Sequence, residues 1–81
     1  MTPQEQDDYK RTWMMLDNHP VRLHSDLVNE AKTWCRRNCE RHRWSFESYT
    51  DVYEHTFYFE LAEHAQEFML RWPDYTNQTM V

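Results

Sequence analysis

The sequence predicts an α+β fold, a two-layer sandwich in which two helices cover one face of a three-stranded sheet. Three observations carry it. Residues 44–59 alternate apolar and polar side chains with a period of two, rich in aromatics, as a half-buried hairpin requires. Residues 23–39 and 62–72 instead repeat apolar side chains every three or four positions, the mark of helices with one buried stripe. At 81 residues, the chain has room for one domain with a small core.

Thr2-Pro3-Gln4-Glu5 reads as a helix start, with a Thr cap, Pro at the first helical position and Glu at the capping-box position. We expect a short helix at most there, with residues 1–9 loosely ordered. Lys10 to Leu16 reads as the first strand, Trp13 and Met15 on one face and Thr12, Met14 and Leu16 on the other. Its rival is a single helix from Pro3 to Leu16. Asp17-Asn18-His19-Pro20 breaks the pattern.

Leu23, Leu27, Val28, Ala31, Trp34, Cys35 and Asn38 or Cys39 then form a helical stripe, starting at Pro20 or restarting at Ser25. The basic end of this helix suits its dipole. Trp44, Phe46 and Ser48 share one face of the second strand; Phe57 and Phe59 share one face of the third, with Tyr58 on the other. The turn falls around Tyr49-Thr50-Asp51. A last helix over 62–72 aligns Ala65, Phe68, Met69 and Trp72, Pro73 closes it, and residues 74–81 are expected to be a loose tail. The order strand–helix–strand–strand–helix equals a ferredoxin-like arrangement lacking its last strand. Such a sheet has an open edge for a partner or a second copy.

Several functional classes drop out at this stage. The chain contains no glycine, which excludes the glycine-rich phosphate loops of nucleotide-binding folds. No apolar run is long enough for a membrane span, and the acidic start is unlike a signal peptide, so a cytoplasmic chain with reduced Cys35 and Cys39 is expected. Asn77-Gln78-Thr79 matches the glycosylation pattern only by chance in that setting.

The formal charge of −5 is unevenly spread. Lys32, Arg36, Arg37, Arg41 and Arg43 stand within twelve residues against Glu40 alone, whereas residues 44–70 hold Glu47, Asp51, Glu54, Glu60, Glu63 and Glu67 with no Lys or Arg. Two binding surfaces follow. The acidic half, with Tyr49, Tyr53, Glu54, Tyr58, Glu60 and Glu63, fits docking on a basic protein groove, where carboxylates steer the encounter and tyrosines anchor it. The basic segment, interleaved with Trp34 and Trp44, fits a nucleic acid, Arg and Lys for phosphate and aromatics for bases. The plain alternative for both is a solvated surface, with the two charged regions pairing internally.

Catalytic and metal constellations have weaker grounds. Cys35, Cys39 and His42, spaced i, i+4, i+7, fall on one helical face, and with His24 or His19 they match a zinc donor set. They lack a Cys-x-x-Cys knuckle, and Cys at such positions is ordinarily a small buried side chain. A thiol nucleophile at Cys35 or Cys39 would be favoured by the local positive charge, but no catalytic signature surrounds either. Glu63 and Glu67, with His64 between them, read as a solvated helix face. The sequence is therefore read as a non-enzymatic protein-binding module without cofactor or metal, with a nucleic-acid-binding module as the alternative.

Trp44-x-Phe46, the run Asp51-Val52-Tyr53-x-His55-Thr56-Phe57-Tyr58-Phe59, and Ala65-x-x-Phe68-x-Leu70-Arg71-Trp72 together resemble small uncharacterised proteins encoded by tailed bacteriophages, over residues 44–72. The resemblance implies an accessory protein that acts in an infected bacterium by binding a host or phage macromolecule, as modulator or inhibitor. No active site comes with it.

Overall fold

In the computed structural model the described residues are 2–23, 27–48 and 55–78. Their elements are α1 (Pro3–Leu16), β1 (His19–Leu23), α2 (Val28–Asn38), a 3-10 turn (Arg41–Arg43), β2 (Trp44–Ser48), β3 (His55–Phe59), α3 (Ala62–Arg71) and β4 (Thr76–Gln78). The α+β class holds, with helices over a fully antiparallel sheet of order β2-β3-β1-β4.

The N-terminal third differs from the expectation. Residues 3–16 form one helix, longer than the short one expected, and no strand begins at Lys10. The local chemistry explains this. The Thr2 hydroxyl accepts the Glu5 backbone N–H at 3.2 Å, and Pro3 supplies the preset first turn. The apparent alternation at 12–16 has no buried face behind it: Trp13 is buried, while Met15 and Leu16 are each 80% exposed. The breaker cluster does end the helix, as the Asp17 N–H bonds Trp13 O and the Asn18 side-chain amide donates to Met14 O at 2.7 Å.

The first strand lies at His19–Leu23, across the end of the breaker cluster and the place where a helix starting at Pro20 is expected. Val21 and Leu23 are fully buried on the core face and Arg22 points away. Among the described residues β4 reaches only to Val21, so Pro20, which pairs with Tyr58 of β3, has no described ladder partner on the β4 side for its missing N–H to lose. Leu23 and Leu27 mimic the helical spacing that starts properly at Val28.

The C-terminal tail is also corrected. Thr76–Gln78 pairs antiparallel with Val21–Leu23 as a fourth strand, so the sheet has four strands among the described residues. The edge expected to stand open is covered. Thr76 is held by its hydroxyl, which donates to Trp72 O at 2.7 Å in a buried site.

The hairpin and last helix follow the expectation. Trp44 faces Phe59 and Phe46 faces Phe57 across the β2–β3 ladder. These four rings lie on the same sheet face as Val21 and Leu23. On that face pack Ala31 and Cys35 of α2, and Ala65 and Phe68 of α3. Phe68 is the hub. Its ring centroid is 4.8 Å from Phe57, 5.2 Å from Phe59 and 5.1 Å from Trp72, spacings typical of favourable aromatic pairs. The turn at Tyr49-Thr50-Asp51 lies outside the described residues.

A candidate anion-binding site

The end of α2 does more than satisfy a helix dipole. Lys32 and Arg36 lie one helical turn apart, and the chain leaves the helix at Cys39 in extended geometry (φ −127°, ψ 140°). This turns it at once into the 3-10 turn and β2, so Arg41, Trp44, Ser45 and Phe46 come back beside the helix. Lys10 of α1 completes the ring. These residues line one concavity of about 600 Å³, and no carboxylate is among them.

Its electrostatics suit an anion. The Lys32 ammonium stands 4.0 Å above the Phe46 ring, a cation–π contact that fixes the charge at the cavity wall. Lys10 is held below its ordinary value, chiefly by burial and further by the Arg41 charge, with Asp7 opposing. A partly desolvated ammonium beside another cation is stabilised by a negative ligand. Trp44 stacks near-parallel on Phe57 at 6.3 Å, and its indole N–H is buried without a partner among the described residues.

Three of the five basic residues singled out by sequence, Lys32, Arg36 and Arg41, meet here. Arg37 does not. It lines a second concavity of about 480 Å³ on the far side of α2, with Trp34, Arg71 and Trp72. Arg43 is committed elsewhere, 2.8 Å from Glu60 and 3.7 Å from Glu40. Lys10 escaped the sequence reading because only the helical form of residues 3–16 carries it to this place.

Half of the acidic docking set is described. Tyr49, Tyr53 and Glu54 lie outside the described residues. Glu60 accepts from Arg43 and from the Tyr9 hydroxyl, and the Tyr58 hydroxyl donates to Glu47 at 3.1 Å. Glu63 is exposed on the first turn of α3.

His42 faces the Tyr9 ring, with centroids 5.2 Å apart, and its Nε2 is 3.2 Å from Glu40. Among the described residues no three His, Cys, Asp or Glu side chains converge as a metal site would require, and His24 lies outside them. Glu63 and Glu67 are exposed as expected, but His64 is half-buried, with Nδ1 enclosed, instead of facing solvent. No described helix is long and apolar enough to cross a membrane.

Comparison with protein-family models, with curated proteins and with solved structures gives no match for this chain.

Proposed function

We propose that the protein is a small, non-enzymatic binding module whose ligand is single-stranded nucleic acid, held in the concavity between α1, α2 and β2. The observation that carries this is the convergence of Lys10, Lys32, Arg36 and Arg41 from three separate elements on one cavity with Trp44 and Phe46 in its lining. Cationic grooves with aromatic walls hold such strands through phosphate contacts and base stacking, the latter about 1–3 kcal/mol per base. The net charge of −5 works against a polyanion at long range. At physiological salt, however, exposed charges beyond about 8 Å are largely screened, so the local cluster decides.

The β1-α2-β2-β3-α3-β4 order, with a sheet of order β2-β3-β1-β4, supports reading the core as ferredoxin-like βαββαβ extended by α1. With the bacteriophage resemblance of residues 44–72, the proposal extends to an accessory protein acting in the bacterial cytoplasm. Amide shift mapping tests the site. Titration with a short oligonucleotide should move Lys32, Arg36, Arg41 and the Trp44 indole first. Shifts confined to α3 or to the sheet face bearing Tyr58 would contradict it.

A second reading, a protein-binding module, is favoured by Met15 and Leu16, whose 80% exposure at the end of α1 leaves apolar surface in water. Leu16 also lines a concavity with Tyr9, Trp13 and Glu60. A protein partner there would leave the basic cavity unperturbed in the same titration.

A further inference from the structure

The basic cavity contains one side chain that anion binding does not use. Cys39, 6% exposed, lines it alongside Lys10, Lys32, Arg36 and Arg41. One turn earlier, Cys35 is fully buried in the core. Cys39 caps α2 one turn later, with its backbone N–H on Cys35 O at 2.8 Å. Cys39 reaches the cavity wall, and Cys35 does not.

We propose that Cys39 is a peroxide-reactive thiol and that Cys35 resolves it, so that oxidation closes a disulfide across the last turn of α2. In the first step the Cys39 thiolate attacks a hydroperoxide. An S–O bond forms, the O–O bond breaks, and the leaving oxygen departs as water or alcohol after taking a proton. Cys39 is oxidised to sulfenic acid and the peroxide is reduced. In the second step the Cys35 sulfur attacks the sulfenic sulfur. The S–S bond forms, the S–O bond breaks, and the oxygen leaves as water with the Cys35 proton.

The direction of the assignment follows from the surroundings. The Cys35 hydrogen bond draws the Cys39 thiol below its ordinary value, while burial and the Glu67 carboxylate of α3 push the other way. Donating that bond, with burial added, pushes Cys35 far up, which suits a resolving thiol rather than the attacking one.

Closure is geometrically local. Helical neighbours at i, i+4 have Cβ atoms about 5–6 Å apart, against about 4 Å in a disulfide. Cys39 is the extended cap and not a helical residue, so the adjustment falls on the helix end, at the Cys39 N–H bond to Cys35 O (2.8 Å).

The test uses the unsubstituted chain. Trypsin places Cys35 in the peptide 33–36 and Cys39 in the peptide 38–41, so each thiol is read separately. Limiting iodoacetamide should label Cys39 about tenfold faster than Cys35. After hydrogen peroxide, the two peptides should appear joined and lighter by two hydrogens, and monomeric. In Cys35→Ser, Cys39 should accept a sulfenic-acid probe; in Cys39→Ser, no probe should enter. Faster labelling of Cys35, unlinked peptides after peroxide, or a disulfide between two chains would each overturn the proposal. Because the unsubstituted chain gives the primary readout, a folding defect in either variant leaves the test intact.

Discussion

Arg43 and Glu60 are joined twice: the Arg43 guanidinium lies 2.8 Å from the Glu60 carboxylate, and the Glu60 backbone N–H donates to Arg43 O at 3.0 Å. The Tyr9 hydroxyl adds a third bond to the same carboxylate. This junction ties α1 and the 3-10 turn to the end of β3. It also removes the last cation of the basic segment, and one acid of the opposite half, from any ligand. Internal pairing of the charged halves is thus real at Arg43, while among the described residues Lys32, Arg36 and Arg41 line the cavity.

Glu60→Ala should therefore destabilise the fold while leaving the cavity cations in place. Glu60 is 18% and Arg43 30% exposed, so solvent screens part of the interaction. A loss of about 1–2 kcal/mol is expected in urea unfolding, between the values for surface pairs and buried charged bonds.

The same junction sets an alkaline limit. Tyr9 is raised above the ordinary phenol value of about 10, first by its bond to Glu60, with burial and the Glu60 charge adding. The folded chain then keeps a proton that the unfolded chain has released. Its contribution is whole below about pH 10 and is lost as pH climbs through the higher folded value. Tyr9→Phe should flatten that part of the pH–stability curve, measured by thermal melts at rising pH.

Phe68→Ala removes the ring that touches Phe57, Phe59 and Trp72. A cost of about 3–5 kcal/mol is expected, enough to unfold much of so small a domain. Circular dichroism and denaturant titration would show it, and a change under 1 kcal/mol would contradict the packing.

How much of this was legible in the sequence depends on which signal each element carries. Trp44, Phe46, Phe57 and Phe59 announce their strands because a buried sheet face needs alternating bulky side chains, and here it has them. Ala65 and Phe68 announce a helix in the same way. Residues 12–16 alternate without burying a face, so the pattern there is empty and the Thr2–Glu5 cap is the truer guide. β4 has no apolar residue among Thr76, Asn77 and Gln78; its place comes from β1 ladder bonds and the Thr76–Trp72 bond, which no periodicity encodes. The site shows the same division. Lys32 and Arg36 are visible as a helical pair, while the arrival of Lys10 depends on tertiary packing of a misread segment.

Thr76→Val tests that tertiary signal. The hydroxyl bond to Trp72 O is buried, and its loss leaves a carbonyl without that donor. A destabilisation of about 1 kcal/mol is expected, with faster amide exchange at Thr76–Gln78 and on the facing Val21–Leu23.

The most direct measurement is the salt dependence of single-stranded oligonucleotide binding, by fluorescence anisotropy, for the native chain and for Lys32→Glu/Arg36→Glu. If the four cavity cations each meet a phosphate, log K should fall against log salt with a slope of about −3. The double variant should lose most binding and flatten the slope, whereas Arg37→Glu should have little effect. A native chain that leaves anisotropy unchanged at low salt, or a double variant that binds as the native chain does, would contradict the account.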